Sequence, residues 1–358
     1  MTDVTRKDKN QITVGIATFI QEINYGAVLQ AFALGTYIQQ LGYRVCYVDT
    51  KPVPDMCPHR PVKKLFYYAV VKRRIDTKRR VFAEFKNQWM ELTDCPDSVD
   101  ILVCGSDQIW NTDITGGFDP LFFGDLTKQN IAYAASCGDV AVLQKNSALF
   151  AEKLQNFYAV SSRENDLADF VRETATMPCP VVCDPTFLLP IGAYQPLETV
   201  KRPVKGDYLL VYQMNKNAWV YKVAKDIAKK KKLKIVEINN NMFDYQLCAH
   251  KCYYSGEVGK FLALFKHASY VVTNSFHGTA FSLLYEKNFA VIKSRSRNSR
   301  IVDLCRTLGL ENRVLEQAGQ IPEWITADID YKRVKENMLP YVATSQQYLK
   351  RSLQMENQ

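Results

Sequence analysis

Residues 271–279 read Val-Val-Thr-Asn-Ser-Phe-His-Gly-Thr, an apolar run that stops at small polar residues and at one of only 4 histidines in the chain. Such a run reads as a strand that opens into a helix at His277. A helix N-terminus presents N–H groups and a partial positive charge. Ser275, Gly278 and Thr279 are therefore candidates to hold a phosphate or carboxylate, with His277 beside it as a proton donor. The same residues also suit a local task, in which Ser275 and Thr279 cap the helix and His277 meets a nearby hydrogen-bond partner.

Three further places set polar residues just after an apolar run. In Asn24-Tyr25-Gly26-Ala27, Gly26 permits close backbone approach and Asn24 can cap a helix or touch a sugar or phosphate. In residues 103–111, Asp107 can orient or deprotonate a sugar hydroxyl, Gln108 lies beside it, and Trp110 offers a stacking face. A turn aspartate capping a helix fits that motif equally well. In residues 161–165, Arg163 can grip a carboxylate through two parallel hydrogen bonds, with Glu164 there to orient or neutralise it. Lys293, Arg295, Arg297 and Arg300 can close over an anionic ligand, although Arg300 also precedes an apolar helix that would use it structurally.

The elements that must position these residues alternate. Residues 12–19 form an apolar strand, residues 27–41 a helix with a broad apolar face, and residues 43–49 a second strand, which is a parallel βαβ unit. Strands are expected again at 100–104, 130–136, 157–161 and 181–183, and in a second series at 208–213, 234–238, 270–273 and 288–292. Helices fall near 219–231, 257–267 and 279–285. The predicted division is an N-terminal Rossmann-like domain over 1–190, a linker to about 205, a C-terminal Rossmann-like domain over 205–325, and a helical segment over 326–358 that can return to the first domain. In such α/β domains ligands sit at strand C-termini, so the motifs are expected in a cleft between the two.

At 358 residues and 41.0 kDa the chain exceeds one ordinary core, and its 47% hydrophobic content is that of a globular protein. It has no apolar run of membrane-spanning length, and its first ten residues are charged, so a cytoplasmic protein is expected. The net charge of +9 gathers in residues 60–86, 225–234 and 293–300. The first of these carries Phe82, Phe85 and Trp89, and suits either a surface helix or a basic amphipathic helix resting on anionic lipid at the inner membrane face. The separate basic runs lack a recognition motif, so nucleic acid is not an expected partner. The 10 cysteines are scattered, and most read as reduced core thiols. Cys179 with Cys183, and Cys248 with His250 and Cys252, fall short of a two-plus-two zinc pattern, and no metal site is assigned.

Taken in order, Asn24 to Ala31, Gly105 to Asn111, Ala132 to Ser136, Ser162-Arg163-Glu164, Asp184-Pro185-Thr186 and Ser275 to Thr279 resemble the polysaccharide pyruvyl transferases of bacterial capsule and exopolysaccharide synthesis. The resemblance runs from about residue 12 to 310. It implies a glycosyltransferase-B-like fold, phosphoenolpyruvate as donor, a saccharide diol as acceptor, and a pyruvate ketal with inorganic phosphate as products. It matches His277 and Arg163 to the family's histidine and arginine at the donor site, and the basic residues after Lys293 less clearly. The expected division is then His277 and Asp107 as catalytic groups, Arg163, Ser275, Gly278, Thr279, Lys293, Arg295 and Arg297 on the donor, and Asn24, Tyr25, Gly26, Gln108 and Trp110 on the acceptor. No cofactor is required by this chemistry and a divalent metal is optional; the acceptor can be free, nucleotide-linked or polyprenyl-linked. The alternative is a nucleotide-sugar-dependent glycosyltransferase of the same fold.

Overall fold

A computed structural model describes residues 8–48, 72–214, 216–239, 249–253, 256–293, 299–317 and 319–355. It contains two β-sheets, each of six strands paired only in parallel. The first is built from β1 (Thr13–Ala17), β2 (Arg44–Val48), β3 (Leu92–Thr93), β4 (Ile101–Cys104), β5 (Asn130–Ala135) and β6 (Phe157–Ser162). The second uses β7 (Tyr208–Gln213), β8 (Lys234–Asn239), β9 (Lys251–Tyr253), β10 (Tyr270–Thr273), β11 (Phe289–Ile292) and β12 (Val314–Leu315).

The strand orders are β3-β2-β1-β4-β5-β6 and β12-β11-β10-β7-β8-β9. Counted from the first strand of each sheet, both are the Rossmann order, with the chain reversing direction between the first and fourth strands. Those switch points lie between β1 and β4 in one sheet and between β7 and β10 in the other. Parallel sheets are covered on both faces, which selects continuous apolar strands. Every residue of β5, β7 and β10 is accordingly buried.

The described chain divides into two compact units. One draws on Met1–Val53, Lys86–Leu189 and Leu339–Gln358, the other on Pro54–Phe85 and Pro190–Met338. The first unit buries the Tyr25–Gln40 helix almost all round, from Tyr25 to Gly35 without a break, rather than along the single face expected. Asn24 caps its first turn through Oδ1, which accepts from Gly26 N at 2.9 Å. In the second unit the Ala218–Lys231 helix starts at Asn217, whose Oδ1 accepts from Trp219 N at 2.9 Å. It ends on Lys229, Lys230 and Lys231, cations that oppose the negative end of the helix dipole. Such placement gives the lysine run a structural task.

The terminal helix Tyr331–Gln354 belongs to both units. Tyr331 hydroxyl donates to Ser282 O at 3.3 Å and to Lys287 O at 2.5 Å, in the second unit. Further along, Tyr341 hydroxyl donates to Val182 O at 2.9 Å, Ser345 Oγ accepts from Cys183 N at 2.8 Å, and Gln346 Nε2 donates to Leu188 O at 2.9 Å, in the first. The helix thus returns to the first domain, clamping residues 182–188. That segment is not the strand expected at 181–183; it makes one isolated bridge, Ser162 to Val181.

In the Arg73–Trp89 helix the aromatic stripe points inward. Phe82 and Phe85 are buried, and the Trp89 ring meets Phe32 edge-on at 5.9 Å. The apolar face read as lipid-facing is therefore used up within the fold, leaving Arg73, Arg79 and Arg80 as the exposed side. Among the described residues no helix is long and apolar enough to cross a membrane.

Candidate functional site

At the first switch point the loop after β1 and the loop after β4 are laced together. Thr18 Oγ1 donates to Ser106 O at 2.8 Å, Gln30 Nε2 donates to Thr18 Oγ1 at 2.9 Å, and Ser106 N donates to Gln30 Oε1 at 3.3 Å. Gln30 is a fully buried amide within the apolar stretch of the helix from Tyr25 to Gly35, and these bonds account for it. The β4 loop turns sharply: Gly105 has φ +125°, Asp107 has φ +73°, and the Gly105–Ser106 peptide is cis. A Cβ on Gly105 would lie 2.2 Å from Tyr133 O, so no other residue fits.

Arg163, at the end of β6, sits beneath this turn with 1% of its side chain exposed. One terminal nitrogen reaches Asp184 Oδ2 at 2.5 Å and Ser106 Oγ at 3.1 Å; the other reaches Asp107 Oδ1 at 3.1 Å. Asp184 is completed by Thr186, whose N and Oγ1 donate to its Oδ1 at 3.0 and 2.8 Å. Burial opposes the guanidinium charge, but Asp184, Asp107 and Glu164 outweigh it and hold Arg163 protonated. Arg163 therefore does not stand ready for a donor carboxylate: its fork is engaged with two carboxylates of its own unit. It fixes Asp107, which also accepts from Gln108 N at 2.9 Å.

Trp110 also departs from expectation. It is fully buried, donates from Nε1 to Phe122 O at 2.9 Å, and packs against the rings of Phe123, Phe150 and Phe157 at 5.6–5.8 Å together. A side chain so enclosed is core, and truncating it would cost about 3–5 kcal/mol; the sugar-stacking role is withdrawn. Tyr25 is buried as well, and Asn24 and Gly26 join in the helix cap. Gln108 Oε1 accepts from Asn111 Nδ2 at 3.1 Å, within the same turn as Asp107.

Glu22, in the loop after β1, is the group that sequence reasoning missed. Burial, and then the nearby Asp107 charge, push its carboxyl up to about 7. Next to it Gln21 Oε1 accepts a hydrogen bond from Lys86 Nζ. Asp184, quoted only as part of a motif, proves to be the main partner of Arg163. No local pattern marks Glu22 as special; a polar Gln30 inside an apolar helical run was a visible signal for the loop lacing.

At the second switch point Met214 N, after β7, donates to Asn274 Oδ1 at 3.0 Å, after β10. Thr273 Oγ1 donates to Tyr212 O at 2.5 Å and accepts from Ser275 N at 3.0 Å. The Phe276–Leu284 helix then starts, with Ser275 Oγ accepting from Gly278 N at 3.3 Å. Thr279 Oγ1 donates back to Ser275 O at 3.1 Å and has no exposed surface. The hydroxyls of Ser275 and Thr279 thus serve the cap, and Thr279 is withdrawn as a donor contact. Gly278 is required by packing, because a Cβ there would lie 2.2 Å from Thr273 Oγ1. His277 occupies the first helical turn, where backbone N–H groups lack intrahelical acceptors, and is 6% exposed rather than a surface residue.

Lys293, after β11, forms an exposed ion pair with Glu316 at 2.6 Å, which engages its charge on the surface. Arg295 and Arg297 lie outside the described residues, as does Cys248. His250 Nδ1 accepts from Ile235 N at 2.9 Å and Cys252 Sγ donates to Glu237 Oε2 at 3.5 Å, so each has a structural partner.

These features define a class: an α/β protein of two Rossmann-ordered sheets, with titratable side chains at the switch point of each. The model of the polysaccharide pyruvyl transferase family matches residues 24–296, well over half the chain. The chain belongs to that family. No curated protein matches it. Among solved structures it is similar to the glycosyltransferase SnogD of Streptomyces nogalater, at 11% identity over 94% of each chain and a TM-score of 0.43. It is also similar to a UDP-GlcNAc 2-epimerase of Methanocaldococcus jannaschii, at 10% identity over 92% of each chain and a TM-score of 0.45. A third is UGT89C1 of Arabidopsis thaliana, at 12% identity over 96% of this chain and 94% of that one, with a TM-score of 0.42. The fold assignment rests on the strand orders themselves.

Proposed function

We propose that the protein transfers the pyruvyl group of phosphoenolpyruvate to two hydroxyls of a sugar, forming a ketal on a bacterial surface-polysaccharide precursor and releasing phosphate. Family membership, with His277 on the first turn of a helix at a sheet switch point, carries this reading. The second unit takes the donor. Amides at the start of the Phe276–Leu284 helix favour its negative charge, and His277 protonates its methylene carbon. Protonation makes the neighbouring carbon electrophilic; one sugar hydroxyl adds there, phosphate departs, and the second hydroxyl closes the ketal. The first unit takes the acceptor at the Asp107 turn. No step moves electrons to a carrier, so no redox cofactor enters.

The test is to incubate the purified protein with phosphoenolpyruvate and a panel of free, nucleotide-linked and polyprenyl-linked hexose acceptors. Phosphate release, together with an acceptor mass gain of one ketal, is expected. Release of a nucleoside diphosphate from a nucleotide sugar, with phosphoenolpyruvate untouched, would instead establish a glycosyltransferase. The His277→Gln variant should lose turnover by about 100-fold or more while keeping its fold.

A further inference from the structure

From Ala218 to Lys234 the chain carries seven lysines and a single acid, Asp226, a net +6 out of the whole chain's +9. Asp226 is engaged by Lys230 at 3.1 Å. Elsewhere on the surface Lys153, Lys266, Lys293 and Lys335 each pair with a carboxylate. Here Lys222, Lys225, Lys229, Lys232 and Lys234 are exposed, and among the described residues no ion pair involves any of them. The helix dipole accounts for the lysines of the last turn only, because its effect fades within that turn. Lys222 and Lys225 stand earlier in the helix and Lys234 opens β8, so something else must explain the stripe.

Lys222, Lys225 and Lys229 fall within about 60° of arc on the helix and span about 10 Å along it. The opposite side is buried: Val220, Val223, Ala224 and Ile227 pack with Leu209 and Val211 of β7 and Val272 of β10. The stripe therefore points directly away from the sheet. It runs along the flank of the second unit rather than across the strand C-termini where His277 lies. Two tryptophans accompany it. Trp219 lies under Lys222, whose Nζ is 4.2 Å from the ring centroid. Trp324 precedes Ile325, which belongs to the same core layer and accepts from Tyr270 hydroxyl at 2.6 Å, and its own side chain is 46% exposed.

We propose that this lysine face of the second unit docks on a membrane surface rich in anionic lipid. Unpaired lysines gathered on one side of an amphipathic helix complement anionic headgroups as point charges, and tryptophan favours the headgroup level. A nucleic-acid duplex is the poorer match. Helices that read it carry arginine, asparagine or glutamine among their cations, and residues 218–234 contain none of these. The proposal does not depend on the reaction catalysed, since the face is separate from the His277 turn.

The test is sedimentation of the full chain with vesicles of phosphatidylcholine alone, or of phosphatidylcholine with roughly one-third phosphatidylglycerol, at about 0.1 M salt. Binding to the anionic vesicles only is expected, and raising the salt to about 0.5 M should abolish it. The variant Lys222→Gln, Lys225→Gln, Lys229→Gln should bind about 100-fold more weakly, at about fivefold for each lysine removed. Glutamine is a good helix former and these side chains are exposed, so the variant should keep the wild-type melting curve. The control is Lys128→Gln, Lys145→Gln, Lys350→Gln, at exposed lysines of the first unit. Each triple variant lowers the net charge by three, from +9 to +6, yet the control should bind within about threefold of wild type. Wild type that stays in solution with the anionic vesicles overturns the proposal, and so do two triple variants weakened equally, because net charge and not this face would then be responsible. A duplex oligonucleotide that strips the protein from the vesicles at equal phosphate concentration would overturn it in favour of nucleic acid.

Discussion

Replacing Glu22 by glutamine is expected to stabilise the protein at alkaline pH and to do little at acid pH. The folded chain raises this carboxyl from an ordinary 4.5 to about 7, mainly by burying it and secondly through Asp107. The folded state therefore binds the proton more tightly than the unfolded chain, and stability is lost as pH rises. The loss is nearly absent below pH 4.5, grows through the window from 4.5 to about 7, and is constant above it. At about 1.4 kcal/mol for each pH unit, the full penalty of ionised Glu22 is about 3 kcal/mol. Glutamine never ionises, so it escapes the penalty. The difference in stability between variant and wild type should be about 2–3 kcal/mol larger at pH 8.5 than at pH 5. In a unit of this size that is roughly 5–10 °C in Tm, read from melts of both proteins at the two pH values. An equal offset at both values would refute the reasoning, because the carboxyl would then carry no penalty in the folded state.

Three other substitutions probe the scaffolds of the two switch points. Arg163→Ala should cost about 3–5 kcal/mol, since it leaves Asp184 and Asp107 without their cation; adding Asp184→Asn should recover a large part, which a urea-denaturation cycle would show. Arg163→Lys should likewise lower stability, because an ammonium cannot span both carboxylates. Gly278→Ala should cost about 1–3 kcal/mol by driving a methyl into Thr273 Oγ1, and Thr273→Ala in the same chain should relieve the clash, again read from the urea midpoint.

Both sheets were legible because their central strands are apolar runs covered on two faces, and such runs leave a mark in the sequence wherever they occur. What escaped were three of the four edge strands. The outer strands β3, β9 and β12 span two or three residues, too few to show any period. The site was legible in its positions and less so in its roles. The Asp107 turn and the start of the Phe276–Leu284 helix both fall at switch points, where strand-end motifs are expected to lie. Roles depended on partners brought from elsewhere in the chain. Arg163 looked like a ligand grip until Asp184 and Asp107 were seen on its fork, and Trp110 looked like a platform until Phe123, Phe150 and Phe157 enclosed it. Glu22 owes its character first to burial and then to Asp107, neither of which is written beside it in the sequence.

The clamp that the Tyr331–Gln354 helix places on residues 182–188 bears on the order in which the molecule can be made. A ribosome releases the Rossmann sheet of the first unit early, and such a unit ordinarily folds as it emerges. Here Val182 O, Cys183 N and Leu188 O wait for Tyr341, Ser345 and Gln346, and Asp184 lies between them. The segment that carries Asp184 therefore receives these three bonds only after nearly the whole second unit has been synthesised. A nascent chain stalled before Tyr341 would carry a first unit whose Val182 O, Cys183 N and Leu188 O still lack these partners. The terminal helix thus delays the fixing of residues 182–188 until both units exist.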